Sequence, residues 1–234
     1  MNLLANFLTS LSLIGGFVSI IFSLEGHFTF ASWAIILSVI FDGMDGQIAR
    51  KNPTSSEFGK ELDSLVDAIS FGIAPSVLGY IFIYRAFYFW ATLVLFIYLF
   101  CSVIRLAKFN ITPKEQLANY FYGLPTAASG GLLASFILIY RKGKDISPLP
   151  SAIPVIFLFI VLFLAFLMVS RIRYLNLDGL KEILGKKIKA IVLTLAILLI
   201  LTICFKKAGI TVFALFLIYL LFCPFVVKRL NSHP

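Results

Sequence analysis

Apolar residues run along this chain in long blocks divided by short polar stretches rich in Lys, Arg, Asn, Ser and Pro. A helix of about 20 apolar residues matches the ~30 Å hydrocarbon core of a bilayer, so each block predicts a membrane-crossing helix. Eight spans are expected, at about 4–23, 30–50, 62–83, 86–104, 121–140, 151–170, 188–205 and 209–227. The first six read as one unit, residues 1–175. The last two follow a polar, basic stretch from Arg171 to Lys189 and form an appended hairpin within residues 176–234. The expected fold class is all-α: a polytopic membrane helix bundle of six core helices with a two-helix C-terminal hairpin. The first block has no Lys or Arg before it and no evident small-residue cleavage site, so it is read as a span and not as a signal peptide.

Composition strengthens this picture. Of 234 residues, 60% are hydrophobic and 13% charged, which excludes an ordinary soluble domain. The net charge of +9 does not point to nucleic acid, because the basic residues sit in short loops at span ends, where they set topology. With the N-terminus inside, Arg85, Arg141, Lys142, Lys144, Lys206 and Lys207 face outward. The other 14 of the 20 Lys and Arg face the cytoplasm. This bias places both termini in the cytoplasm of an integral plasma-membrane protein. Cys101, Cys204 and Cys223 lie singly in apolar runs and read as packing; His27 and His233 receive no role.

The acidic residues change the picture most. Asp42, Asp45, Asp63 and Asp67, four of only 11 acidic residues, fall at or near the cytoplasmic ends of spans two and three. A carboxylate in hydrocarbon costs at least ~2.5–3.5 kcal/mol on insertion scales, so four together call for a compensating cation, a water-filled cavity, or both. Asp42 and Asp45 are three residues apart and Asp63 and Asp67 four apart, so each pair shares a helix face. Asp42, Asp45, Gly46 and Ala49 fall within an arc of roughly 100°, and Gly59, Asp63 and Asp67 within roughly 80°. Asn52, Pro53, Thr54, Ser55 and Ser56 supply turn chemistry between them, which makes the helices antiparallel neighbours with converging faces. An all-oxygen site of this kind suits Mg²⁺ or Mn²⁺, with room for two ions, and a diphosphate substrate would complete it. Gly46 and Gly59 let a bulky ligand approach backbone, and Arg50 offers a fork of donors to phosphate. Singly, each residue reads as well as a cap, an ion pair or a packing glycine; the register-matched set favours a site.

Asp42-Gly-Met-Asp45-Gly46-Gln-Ile-Ala49-Arg50, then eight residues, Gly59, three residues, Asp63, three residues and Asp67 resembles the signature of the CDP-alcohol phosphotransferase family. All eight specified positions match within a 26-residue window. The resemblance covers about the first 170 residues. It implies a six-helix core holding a binuclear metal site, with two divalent ions on Asp42, Asp45, Asp63 and Asp67, and with Asp67 also the general base. It implies a CDP pocket at Gly46, Ala49, Arg50 and Gly59 and, more loosely, Ser56. Asn6 and Thr9 are similar to the family's N-terminal Asn-x-x-Thr and would join that pocket. A homodimer is a further implication.

The segments Ser64–Pro75, Arg105-Leu-Ala-Lys108-Phe109-Asn110, Gly123-Leu124-Pro125 followed by Thr-Ala-Ala, and Val169–Tyr174 are similar to the serine-accepting branch, with Lys108 where Arg is usual. The expected substrates are a CDP-linked lipid such as CDP-diacylglycerol and L-serine. Arg105 and Asn110, at the end of span four, are the candidate serine-binding residues; snorkelling and capping explain them equally well. Two alternatives remain open. Arg105, Lys108, Arg171 and Arg173 suit the phosphate of a glycerol phosphate or inositol phosphate acceptor, and intramembrane carboxylates also occur in cation transporters.

Overall fold

The computed structural model describes residues 3–51, 57–112, 120–141, 150, 152–175 and 208–230, except for the side chains of residues 3, 49–51, 85, 208, 225, 226 and 228–230. The expected seventh span and Ser56 lie outside the described residues. The helices are α1 (Leu3–Leu24), α2 (Phe28–Lys51), α3 (Glu57–Asp67), α4 (Ala74–Ile111), α5 (Thr126–Tyr140), α6 (Ala152–Val169) and α7 (Ala208–Leu230). A π-helical turn, Ala68–Ile73, joins α3 to α4, and strands β1 (Tyr120–Tyr122) and β2 (Arg173–Leu175) form a small ribbon.

Five stretches among the described residues are long and apolar enough to cross a membrane: Leu4–Leu24, Phe28–Ile48, Glu57–Tyr84, Ala86–Ile111 and Ala152–Val169. Phe7, Phe17, Phe30, Phe89, Phe96, Phe159 and Phe166 are exposed, while the interior combines large apolar side chains such as Phe71, Tyr98 and Phe157 with Ala and Ser. The protein is therefore an integral membrane helix bundle, apolar toward lipid, with small residues that let helices approach closely within. Gly16 illustrates the closeness: a Cβ there would lie 2.8 Å from Ser70 Cα. Ser70 Oγ donates to the Ser12 carbonyl at 3.0 Å, so α1 is pinned to the π turn.

Spans three and four are both present, and they part at residue 85, where the expected spans also part. Helical geometry runs unbroken from α3 through the π turn into α4, then breaks at Phe87 (φ −148°, ψ 65°). Beyond the break α4 folds back on itself. Tyr98 Oη donates to the Phe71 carbonyl at 3.1 Å, and the side chains of Leu99 and Ser102 crowd Gly72. The returning arm extends to Ile111, seven residues past the expected end at 104.

Pro75 accounts for part of the π turn. It has no N–H, so the carbonyl of Phe71, four residues earlier, loses its α-helical donor. Tyr98 supplies one instead, and the Ala74 N–H bonds five residues back, to Ile69.

The fifth span departs most from expectation. Residues 120–122 are a strand, and the helix starts only at Thr126. Gly123 takes a left-handed φ of 77°, and Pro125 caps the helix in extended geometry. The 15-residue α5 is about 22 Å long, short of the hydrocarbon core. It is buried along nearly its whole length and so needs no lipid-facing span of its own. Its Gly131 receives the ring of Phe216 from α7.

β1 pairs antiparallel with β2, Phe121 opposite Tyr174 and Tyr122 opposite Arg173. The ribbon is the one addition to the expected all-α class among the described residues.

Candidate active site

α2 and α3 bring the expected carboxylates together. One carboxylate oxygen from each of Asp42, Asp63 and Asp67 lies within 4.8 Å of the others. Three anions this close in a bundle repel one another unless a cation lies among them, and their donor set is all oxygen. The residues present therefore fit a hard divalent ion.

Asp45 stands beside this triad. It is 3% exposed, and its Oδ2 accepts from the Thr9 hydroxyl at 2.7 Å. That hydroxyl has one proton and also approaches the Ala5 carbonyl at 3.0 Å; the shorter contact to the carboxylate is the stronger. Thr9, expected at the CDP pocket, thus holds an acidic residue in place from α1. Asn6, one turn earlier, is half-buried, as are Gly46 and Gly59. Ala49 and Arg50 lie on the described part of α2, and their side chains fall outside the description.

Arg105 is the described cation that interacts with all three carboxylates. Its side chain is 7% exposed and lies in the electrostatic field of Asp67, Asp42 and Asp63. Nη1 donates to Thr126 Oγ1 at 3.1 Å, and Thr126 Oγ1 donates to Asp67 Oδ2 at 3.5 Å. The guanidinium also sits 5.5 Å from the Phe109 ring. Its buried Nε has no hydrogen-bond partner among the described residues. A buried Arg with a spare donor suits an anionic ligand.

Arg105 also lines a cavity of about 380 Å³ at this end of the bundle, together with Lys108, Phe109, Tyr122, Ser170 and Arg171. The cavity draws on α4, β1 and the end of α6, and Arg105 links it to the triad through Thr126. Asn110 is occupied elsewhere: its Oδ1 accepts from Ser64 at 3.0 Å, and its carbonyl accepts from Lys60 at 2.9 Å. These bonds tie α3 to the end of α4.

Thr126, which was not among the candidate site residues, is brought between Arg105 and Asp67. Its signal in the sequence was its place in the Thr-Ala-Ala that follows Gly123-Leu124-Pro125, a segment similar to the serine-accepting branch.

Fold and site together define a polytopic membrane protein with a carboxylate cluster between two helices and a basic cavity beside it. The chain matches the model of the CDP-alcohol phosphatidyltransferase family over residues 2–167, and it belongs to that family. It is 35% identical over 179 residues to the CDP-diacylglycerol–serine O-phosphatidyltransferase of Helicobacter pylori (strain ATCC 700392 / 26695), covering 76% of this chain and 74% of the relative. It is 35% identical over 181 residues to the archaetidylserine synthase of Methanothermobacter thermautotrophicus, covering 75% and 71%. A third relative, the CDP-diacylglycerol–serine O-phosphatidyltransferase of Saccharomyces cerevisiae, is 34% identical over 164 residues, 64% of this chain and 59% of its own length.

Proposed function

We propose that this protein transfers the phosphatidyl group of CDP-diacylglycerol, or of an ether-linked counterpart, to the hydroxyl of L-serine, releasing CMP. The observation that carries this reading is the convergence of Asp42, Asp63 and Asp67 beside a cation-lined cavity, in a chain whose relatives are named for serine transfer.

Asp42, Asp63 and Asp67 would hold divalent metal, with Asp45 as a fourth ligand. Two Mg²⁺ or Mn²⁺ ions, when bound, would neutralise charge on the diphosphate and on the departing CMP. The chain's own groups do the rest. Asn6, Thr9, Gly46, Ala49, Arg50, Ser56 and Gly59 form the CDP pocket. Thr9 keeps Asp45 oriented through its 2.7 Å bond. Serine enters the cavity, and Arg105 pairs with its carboxylate.

The serine oxygen then attacks the lipid-side phosphorus of the diphosphate. Its proton passes to Asp67, the new P–O bond forms, and the bond to CMP breaks with the electron pair leaving on CMP. Asp67 suits the base role because it is the carboxylate that Thr126 connects to Arg105. Asn110 would act by holding α3 against α4 beside this cavity.

The positive-inside pattern supports a site at the cytoplasmic face with both termini on that side, and a plasma-membrane location belongs to the same reading. Residues 1–175 would form the catalytic core and 176–234 an appendage; association as a homodimer belongs to the same reading.

A second acceptor reading is favoured by the cavity's Arg105, Lys108 and Arg171. Three cations also suit the phosphate of glycerol phosphate or inositol phosphate. The transport alternative is weaker, because it calls for acids distributed over several spans near midplane, and these gather at one end of a helix pair.

The experiment follows CMP release from CDP-diacylglycerol by purified protein with Mn²⁺ or Mg²⁺. Serine-dependent CMP, lost in Asp67→Asn, is the expected result. CMP released only with a phosphorylated alcohol would overturn serine as acceptor. Folded, metal-binding protein that releases no CMP with any acceptor would overturn the transferase reading itself.

A further inference from the structure

The family match ends at residue 167, and α7, Ala208–Leu230, lies well beyond it in the chain. It touches the ribbon. An isolated two-stranded ribbon with three-residue strands is at best marginally stable, so its position depends on what holds it. On the core side, the Gly123 N–H donates to Ile172 at 2.8 Å and the Leu124 N–H to Leu167 at 3.0 Å. On the other side, both backbone groups of Leu175 are taken by α7. The Leu175 N–H donates to Cys223 Sγ at 2.8 Å, and its carbonyl accepts from the Tyr219 hydroxyl at 3.1 Å. Tyr219 and Cys223 are one helical turn apart, so a single helix face makes both bonds.

These contacts lead to the cavity by a continuous path. The Tyr219 ring lies 6.0 Å from that of Tyr174, which is 1% exposed and sits opposite Phe121 in the ribbon. The Phe121 ring lies 5.7 Å from Phe109, over which the Arg105 guanidinium rests at 5.5 Å. Tyr122, the next residue of β1, lines the cavity itself. We propose that α7 is a positioning element for the acceptor cavity, acting through the ribbon, with Tyr219 and Cys223 as its positioning residues. The inference rests on reading that cavity as the acceptor site. The role assigns α7 a part in the reaction without contact with substrate.

The test uses the full-length protein and three variants, Tyr219→Phe, Cys223→Ala and Cys223→Ser, with two readouts. Steady-state kinetics are expected to show KM for serine raised roughly three- to tenfold in Tyr219→Phe and Cys223→Ala. KM for CDP-diacylglycerol stays within about twofold, and Cys223→Ser, which keeps an acceptor for the Leu175 N–H, restores the serine KM. Amide hydrogen exchange at residues 120–124 and 172–175 is expected to quicken in the first two variants, with α1 and α2 unchanged. Unchanged acceptor KM, an equal rise in both KM values, or unchanged ribbon exchange would each overturn the proposal. If the wild type uses a phosphorylated alcohol and not serine, the function reading fails alone, and the same KM comparison with that alcohol decides this one. If it releases no CMP, the function reading again fails alone, and ribbon exchange decides whether α7 holds the ribbon.

Discussion

Thr126→Val removes one hydroxyl and keeps a β-branched side chain of nearly the same shape at the start of α5. Thr126 is 1% exposed, so water does not reach the site to replace what is lost. The Arg105 Nη1, now bonded at 3.1 Å, would be left without that partner in a guanidinium whose Nε already lacks one. A hydrogen bond to a charged group contributes about 1.5–3 kcal/mol. The 3.5 Å contact to Asp67 is at the limit of hydrogen bonding and adds little. If the whole loss appears in the transition state, kcat/KM for serine falls roughly 10- to 150-fold. The assay is serine-dependent CMP release at saturating CDP-diacylglycerol and Mn²⁺, with thermal unfolding in detergent to establish that the variant is folded. Thr126→Ser keeps the hydroxyl and is expected to retain most of the activity. A folded Thr126→Val protein with more than half the wild-type kcat/KM would refute the argument that Thr126 couples the cavity to Asp67.

Four further outcomes are expected. Asp42→Asn removes one anion of the triad and should weaken divalent-metal binding and lower CMP release by at least about 10-fold, read by metal titration. Chelation should abolish activity, and added Mn²⁺ or Mg²⁺ should restore it; full activity in chelator would exclude the metal reading. Gly123→Ala forces a Cβ against the Met168 carbonyl at a backbone φ of 77°. It should destabilise the ribbon by about 1–3 kcal/mol, seen as faster exchange at residues 120–124. Tyr98→Phe leaves the Phe71 carbonyl without its 3.1 Å donor and should lower stability by about 1–3 kcal/mol, measured as a reduced unfolding temperature.

Periodicity made much of this protein legible. Hydropathy located α1, α2 and α6 to within two residues of their observed ends, because a bilayer admits few ways to satisfy a backbone and helix length is set by thickness. The faces of Asp42 and of Asp63 with Asp67 followed from 3.6-residue spacing, and the triad forms as that spacing implies. Asp45 shows where spacing stops being sufficient: it shares a helix with Asp42, yet its carboxylate is held by Thr9, 36 residues away. Residues 121 and 122 of the strand fall within the expected fifth span because their aromatic side chains extend its apolar run. Gly123 and Pro125 were the local signs of a break there.

The sequence by itself determined the membrane class, most helix positions and the acidic faces of α2 and α3, since each depends on residues a few positions apart along one helix. Tertiary structure decided the π turn, the cavity and the docking of α7. The Phe71 carbonyl is satisfied by Tyr98, the cavity wall joins α4 to the end of α6, and Leu175 is held from residues 219 and 223. A buried polar group must find a partner, and where the local chain lacks one, as at Pro75, the partner comes from whatever distant segment the packing brings within about 3 Å.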